Sequence, residues 1–122
     1  MERSIENLYI WQEARLFVNA IYKMMATCKD WGFKDQIQRA SVSIMNNIAE
    51  GSESGSDAKF INFLNIAKGS CSEVRSMLYL CEDLSFSSPG ERVSLQAQLK
   101  TISTGIVRLI DSLSHKQRGV NE

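Results

Sequence analysis

The chain has 122 residues, 43% apolar and 23% charged, and its 14 basic groups are balanced by 14 acidic ones. At this length a single compact domain is expected, burying roughly two-thirds of the unfolded chain's surface, so a core forms without metals or disulfides. Zero net charge argues against nonspecific nucleic-acid binding, which rests on counterion release from phosphates. No apolar run nears the about 18 uninterrupted residues of a membrane-spanning helix.

Apolar residues recur at helical spacing in four segments, and nowhere do they alternate long enough for a strand. In the first, Trp11, Ala14, Val18, Ile21, Met25 and Cys28 step by three and four, while Ile10, Phe17 and Met24 add a second line. The spacing predicts a helix over about 8–29, with Asn7 as its cap and Gly32 just past its end. Asp30-Trp31-Gly32 is read as the break before a second helix over 34–50, where Ile37, Ala40, Ile44 and Ile48 form the main line and Gly51 the stop.

The third segment, about 56–85, carries Phe60, Leu64, Ala67, Cys71, Val74, Leu78 and Cys81, with Phe63, Ser70, Met77 and Leu84 alongside. At 1.5 Å per residue it would run about 45 Å. The fourth, about 89–117, opens on Ser88-Pro89-Gly90-Glu91, a cap, a proline suited to the first helical position and an acid that reaches back to the cap. Leu95, Leu99, Ile102, Ile106, Leu109 and Leu113 follow, and Gly119 marks the expected frayed end. Four helices on short loops, in a single domain over 1–122, predict an all-α, antiparallel, up-down-up-down four-helix bundle with crossing angles of about 20°.

The second apolar lines leave two readings open. Ile10, Phe17, Phe63 and Tyr79, with Trp31 and Phe33 at one end, either form an oligomer interface or fill a wide core around the short second helix.

Chemistry-bearing patterns are few. A di-iron bundle needs two Glu-x-x-His motifs, and the chain has one histidine, His115. Asp111 and His115, beside Ser112 and Ser114, offer triad residue types, but neighbours on one helix do not converge as nucleophile and base do. Gly51-Ser52-Glu53-Ser54-Gly55-Ser56 lacks the Gly-Lys-Ser/Thr of a phosphate loop, and its acids would repel phosphate. Cys28, Cys71 and Cys81 lie on apolar faces without C-x-x-C spacing, which predicts small buried hydrophobes in a reducing, cytoplasmic compartment. No signal core is present at the N-terminus. The expectation is a protein without catalytic residues, metal or cofactor.

Two polar groups stand out. Arg92, Lys100, Arg108 and Lys116 lie in the one region that leans positive, five basic against three acidic over 87–122. Successive members turn by about 80° at about 100° per residue, so they spiral, and serve as nucleic-acid contacts only where oligomer symmetry gathers them. Arg39, Asn47, Glu50, Ser70 and Glu73 sit on or beside the apolar lines of the second and third helices. They are expected to be partly buried, with Arg39 meeting Ser70 or Glu73 as a structural contact inside the bundle.

The runs Leu8-Tyr9-Ile10-Trp11-Gln12, Gln36 to Ile44, Asn47-Ile48-Ala49-Glu50-Gly51, Phe60-Ile61-Asn62-Phe63-Leu64 and Gly69-Ser70 together resemble a bacterial family. This is the four-helix-bundle family of proteins encoded within intervening sequences of 23S rRNA genes. The resemblance implies a left-handed bundle, a ring-like homopentamer, no established enzymatic activity and a structural role for Arg39, Asn47, Glu50, Ser70 and Glu73. Met45 and Gln38 stand where the family often has proline and a second basic residue. Related accessory proteins of diversity-generating retroelements are basic and bind nucleic acid. The expected function is a non-enzymatic, self-associating scaffold or adaptor whose partner is itself; the alternative is an accessory of RNA or of a reverse transcriptase.

Overall fold

A computed structural model of the chain describes residues 4–121, with side chains described through residue 116. A 3-10 turn, Ile5–Asn7, leads into α1 (Tyr9–Met25), α2 (Trp31–Ser52), α3 (Asp57–Asp83) and α4 (Pro89–Asn121), with no strand among the described residues. Each helix packs on the next in sequence and α1 closes on α4, so the helices touch in ring order as an up-down-up-down bundle. The α2/α3 seam is the most extensive, and it lies across the bundle from the α1/α4 seam.

The helix starts follow local chemistry, with two departures from the sequence reading. Asn7 belongs to the 3-10 turn, and the extended Leu8 precedes α1 without a side-chain cap bond. Asp30-Trp31-Gly32 is the start of α2 rather than a gap: the Asp30 carboxylate accepts from the Phe33 N–H at 3.1 Å, which satisfies an otherwise free donor and draws Trp31 and Gly32 into the first turn. Ser56 caps α3 by accepting from the Lys59 N–H at 3.2 Å. The capping box at α4 is present in full, Glu91 N–H to Ser88 Oγ at 3.0 Å and Ser88 N–H to Glu91 Oε1 at 2.8 Å.

The ends differ too. α1 stops at Met25, short of 29, and Gly119 lies within α4. α3 ends at Asp83, where the Ser85 N–H donates to the Glu82 carbonyl at 3.1 Å and the Phe86 N–H to the Cys81 carbonyl at 2.8 Å. That is a Schellman closure, with Ser85 in the left-handed region at φ 62°.

On α1 the buried row is Ile10, Ala14, Phe17, Ile21 and Met25, while Trp11 and Val18 are only half-buried. The two sequence lines therefore merge into one stripe whose centre lies between them. Of the two readings open for Ile10 and Phe17, the burial favours the wide core over the outer interface: Phe17 is 1% exposed and Ile10 7%, both packed with Phe60, Leu64, Ile102 and Ile106. Burying each such side chain stabilises the fold by about 1.5–3 kcal/mol.

Two glycines set the helix separations. A Cβ on Gly51 would stand 2.8 Å from the Phe60 ring and 2.9 Å from the Phe63 Cβ, so glycine lets the start of α3 lie close on the end of α2. Gly51, expected as the stop of α2, instead lies inside it, one residue before its end at Ser52. Gly105 makes the matching notch in α4, into which Ile10 projects.

Candidate functional site

The five predicted polar residues are partly gathered. Ser70 and Ser43 share a hydrogen bond at 3.0 Å across the α2/α3 seam, and the Asn47 amide donates to the Ser43 carbonyl at 2.8 Å and to its Oγ at 3.0 Å. Arg39 does not reach Ser70 or Glu73. It is exposed and pairs with Asp35 one turn away at 2.8 Å, because the inward positions of this turn belong to Ile37 and Ala40. Arg39, Asn47 and Glu50 line a shallow groove between α1 and α2 with Tyr22, and Glu73 is exposed on α3. Ser43, the residue that joins Asn47 to Ser70, was missed because a small hydroxyl beside an apolar line gives no periodic signal.

Of the predicted interface residues, Phe63 is half-buried over Gly51, and Tyr79 is exposed beneath the Arg92 guanidinium, 5.0 Å from its ring centroid. Trp31 is exposed with the Lys34 ammonium 5.1 Å from its ring, whereas Phe33 packs on Phe86 at 5.3 Å. Other exposed apolar side chains lie outside the predicted set. Ile66 and Leu80 share one outer face of α3, which Leu84 continues just past the helix end, and Tyr9 and Leu16 share one face of α1.

Between the start of α1 and the middle of α4 is a groove of about 750 Å³. Leu8, Tyr9, Ile10 and Leu109 give it apolar walls, Lys100 and Arg108 line it as well, and none of its lining residues is acidic. A second groove, of about 400 Å³ between α3 and α4, brings Lys68 and Arg75 to the other side of Lys100, again without a carboxylate. The sequence reading named Lys100 and Arg108 but missed Lys68 and Arg75, which the spacing along α4 alone could not bring in.

Arg92 and Lys116, the other two candidate nucleic-acid contacts, are engaged within the fold. Arg92 donates to Glu82 at 2.7 Å and to Gln96 at 2.7 Å, and the bond to Glu82 pushes the Arg92 guanidinium further above its ordinary value. Lys116 stands 4.0 Å from the Asp57 carboxylate. His115 and Asp111 are both exposed and 3.5 Å apart on the surface of α4.

The cysteines are buried free thiols. Burial pushes Cys71 up to about 12, and burial with the neighbouring Cys28 pushes Cys81 up to about 11, which suppresses the reactive thiolate. Among the described residues no group of three metal-ligating side chains forms, and no helix is long and apolar enough to cross a membrane.

These features define a small all-α helical-bundle protein with surface grooves and exposed apolar side chains. The sequence profile of 23S rRNA-intervening sequence proteins matches residues 6–108, and the chain belongs to that family. It is similar to the crystal structure of a Bacteroides thetaiotaomicron protein of unknown function from the S23 ribosomal protein family, at 27% identity and a TM-score of 0.77, over 83% of this chain and 97% of that one. No curated protein matches the chain.

Proposed function

We propose that this chain is a non-enzymatic scaffold or adaptor of the bacterial cytoplasm that works by self-association, as a homopentamer. The observation that carries the reading is the exposed apolar side chains on one face of α3, Ile66 and Leu80, continued by Leu84 just past its end, left over after a complete core has been built from the other faces. Scattered exposed apolar residues are ordinary, but a row on one helix face is what an interface presents. The pentameric ring comes from the family resemblance.

The test is solution mass by light scattering over a range of concentration, salt and added total bacterial RNA. A salt-resistant assembly indifferent to RNA, dissociated by Ile66→Glu with Leu80→Glu while helicity is kept, supports the reading. A wild-type chain that stays monomeric at every concentration overturns it.

A second reading is favoured by one observation. Lys68, Arg75, Lys100 and Arg108 line two adjoining grooves without a carboxylate, a local positive surface on a neutral chain. It suits a phosphate backbone, as in an accessory of RNA or of a reverse transcriptase. A mass increase with RNA that disappears at high salt would place this reading first.

A further inference from the structure

Gly69 lies in the interior of α3, where glycine weakens a helix relative to alanine, yet no internal packing asks for it. Among the described residues nothing lies within 4 Å of where its Cβ would stand, in contrast to Gly51 and Gly105, whose missing Cβ atoms make room for neighbours. Gly69 is three residues beyond Ile66 and four before Glu73, so it shares their face of the helix. Leu80 and then Asp83 and Leu84 continue that face, all of them exposed. The result is a ridge of apolar and acidic side chains with a dip where the helix backbone is bare.

The ridge runs beside the α2/α3 seam, since Ser70, next to Gly69, bonds to Ser43 of α2. Across the bundle, the α1/α4 groove offers apolar walls with Lys100 and Arg108 and no acid. We infer that the α3 ridge of one copy seats in the α1/α4 groove of the next, with Gly69 as the point of close approach and Glu73 and Asp83 set against Lys100 and Arg108. The two surfaces are different and lie on opposite sides of the bundle, so the contact is head-to-tail and leaves each copy with a free surface for the next, closing into a ring when the rotation from copy to copy divides a full turn. Opposite charges on the two surfaces fix its direction, because ridge on ridge and groove on groove both repel.

This inference rests on the self-association proposed above, and three variants separate the two. Gly69→Ala should raise the melting temperature of the dilute monomer by about 3–6 °C and weaken assembly at least about tenfold. A Gly69→Ala chain that is stabilised and still assembles like wild type overturns the inference. Glu73→Lys with Asp83→Lys, and separately Lys100→Glu with Arg108→Glu, should each leave a folded monomer by circular dichroism and sedimentation. Their equimolar mixture should form alternating heteromers, because each then presents what the other receives. Wild-type assembly with both reversed chains also assembling alone sinks the head-to-tail pairing and leaves self-association standing, whereas a wild-type chain monomeric at all concentrations removes both.

Discussion

Ile10 of α1 projects into the space that a methyl group on Gly105 of α4 would fill. The relationship explains how an isoleucine at the very start of α1 reaches the core, and why α1 and α4 close the ring of helices at that level. Gly105→Ala should therefore destabilise the fold by up to about 2 kcal/mol, an overpacking cost of about 1–3 kcal/mol offset by the about 1 kcal/mol better helix propensity of alanine. Chemical denaturation of a double-mutant cycle checks the cause. In an Ile10→Ala background the same substitution should lose most of its cost, because the methyl group then meets empty space.

The Ser43–Ser70 bond makes an asymmetric prediction. Ser70→Ala leaves Ser43 with the Asn47 amide still donating to it, so the expected cost is about 0.5–1 kcal/mol. Ser43→Ala removes the partner of Ser70 and one of the two acceptors of the Asn47 amide, whose bond to the Ser43 carbonyl stays, and should cost about 1–2 kcal/mol. Equal effects from the two substitutions, read from urea midpoints at unchanged slope, would remove the hub role assigned to Ser43.

Much of this architecture was legible from apolar spacing and caps, and what escaped had physical reasons. The α3 and α4 cores follow from unbroken alternations of three and four, and the Ser88–Glu91 box is a local motif whose hydrogen bonds need no tertiary help. The start of α2 was misread because Asp30 can end one element or cap the next, and only its bond to the Phe33 N–H decides. The spacing leaves Phe17 open between core and interface because two apolar lines on α1 read as separate faces; packing puts the centre of the buried stripe between them. Arg39 was expected inside on its nearness to the α2 stripe, but a side chain one position off the buried line has solvent and Asp35 within easy reach. Lys68 and Arg75 became neighbours of Lys100 only through the antiparallel register of α3 and α4, which no single-helix pattern contains.

The buried thiols give the fold an alkaline weakness. Cys71 is held up to about 12 and Cys81 up to about 11 from an ordinary value of 9.0, in both cases chiefly by burial. Above that ordinary value the unfolded chain releases these protons while the folded chain keeps them, so their contribution is complete below about pH 9 and falls as pH rises toward 11–12. The slope is up to about 1.4 kcal/mol per pH unit for each thiol. Stability measured at pH 8 and pH 10 should fall less in Cys71→Ala than in wild type, although the variant starts lower because of its cavity. The same burial predicts that iodoacetamide labels the native thiols only at the rate of opening, and rapid labelling at neutral pH would contradict it.

Ser85 is the one described residue other than glycine with a positive φ, 62°, at the position of the Schellman closure that glycine usually fills. A residue with a Cβ pays about 1–2 kcal/mol to sit there. Glycine relieves that strain but gains freedom in the unfolded chain, so Ser85→Gly should stabilise by a net of about 0.5–1 kcal/mol. Ser85→Val, whose branched side chain tolerates the left-handed region worst, should destabilise and open the turn that delivers Phe86 onto Phe33. Thermal melts of the two variants at a concentration where the chain is monomeric separate this local effect from any change in assembly. A Ser85→Gly chain less stable than wild type would mean that the serine hydroxyl, rather than the backbone, holds the turn.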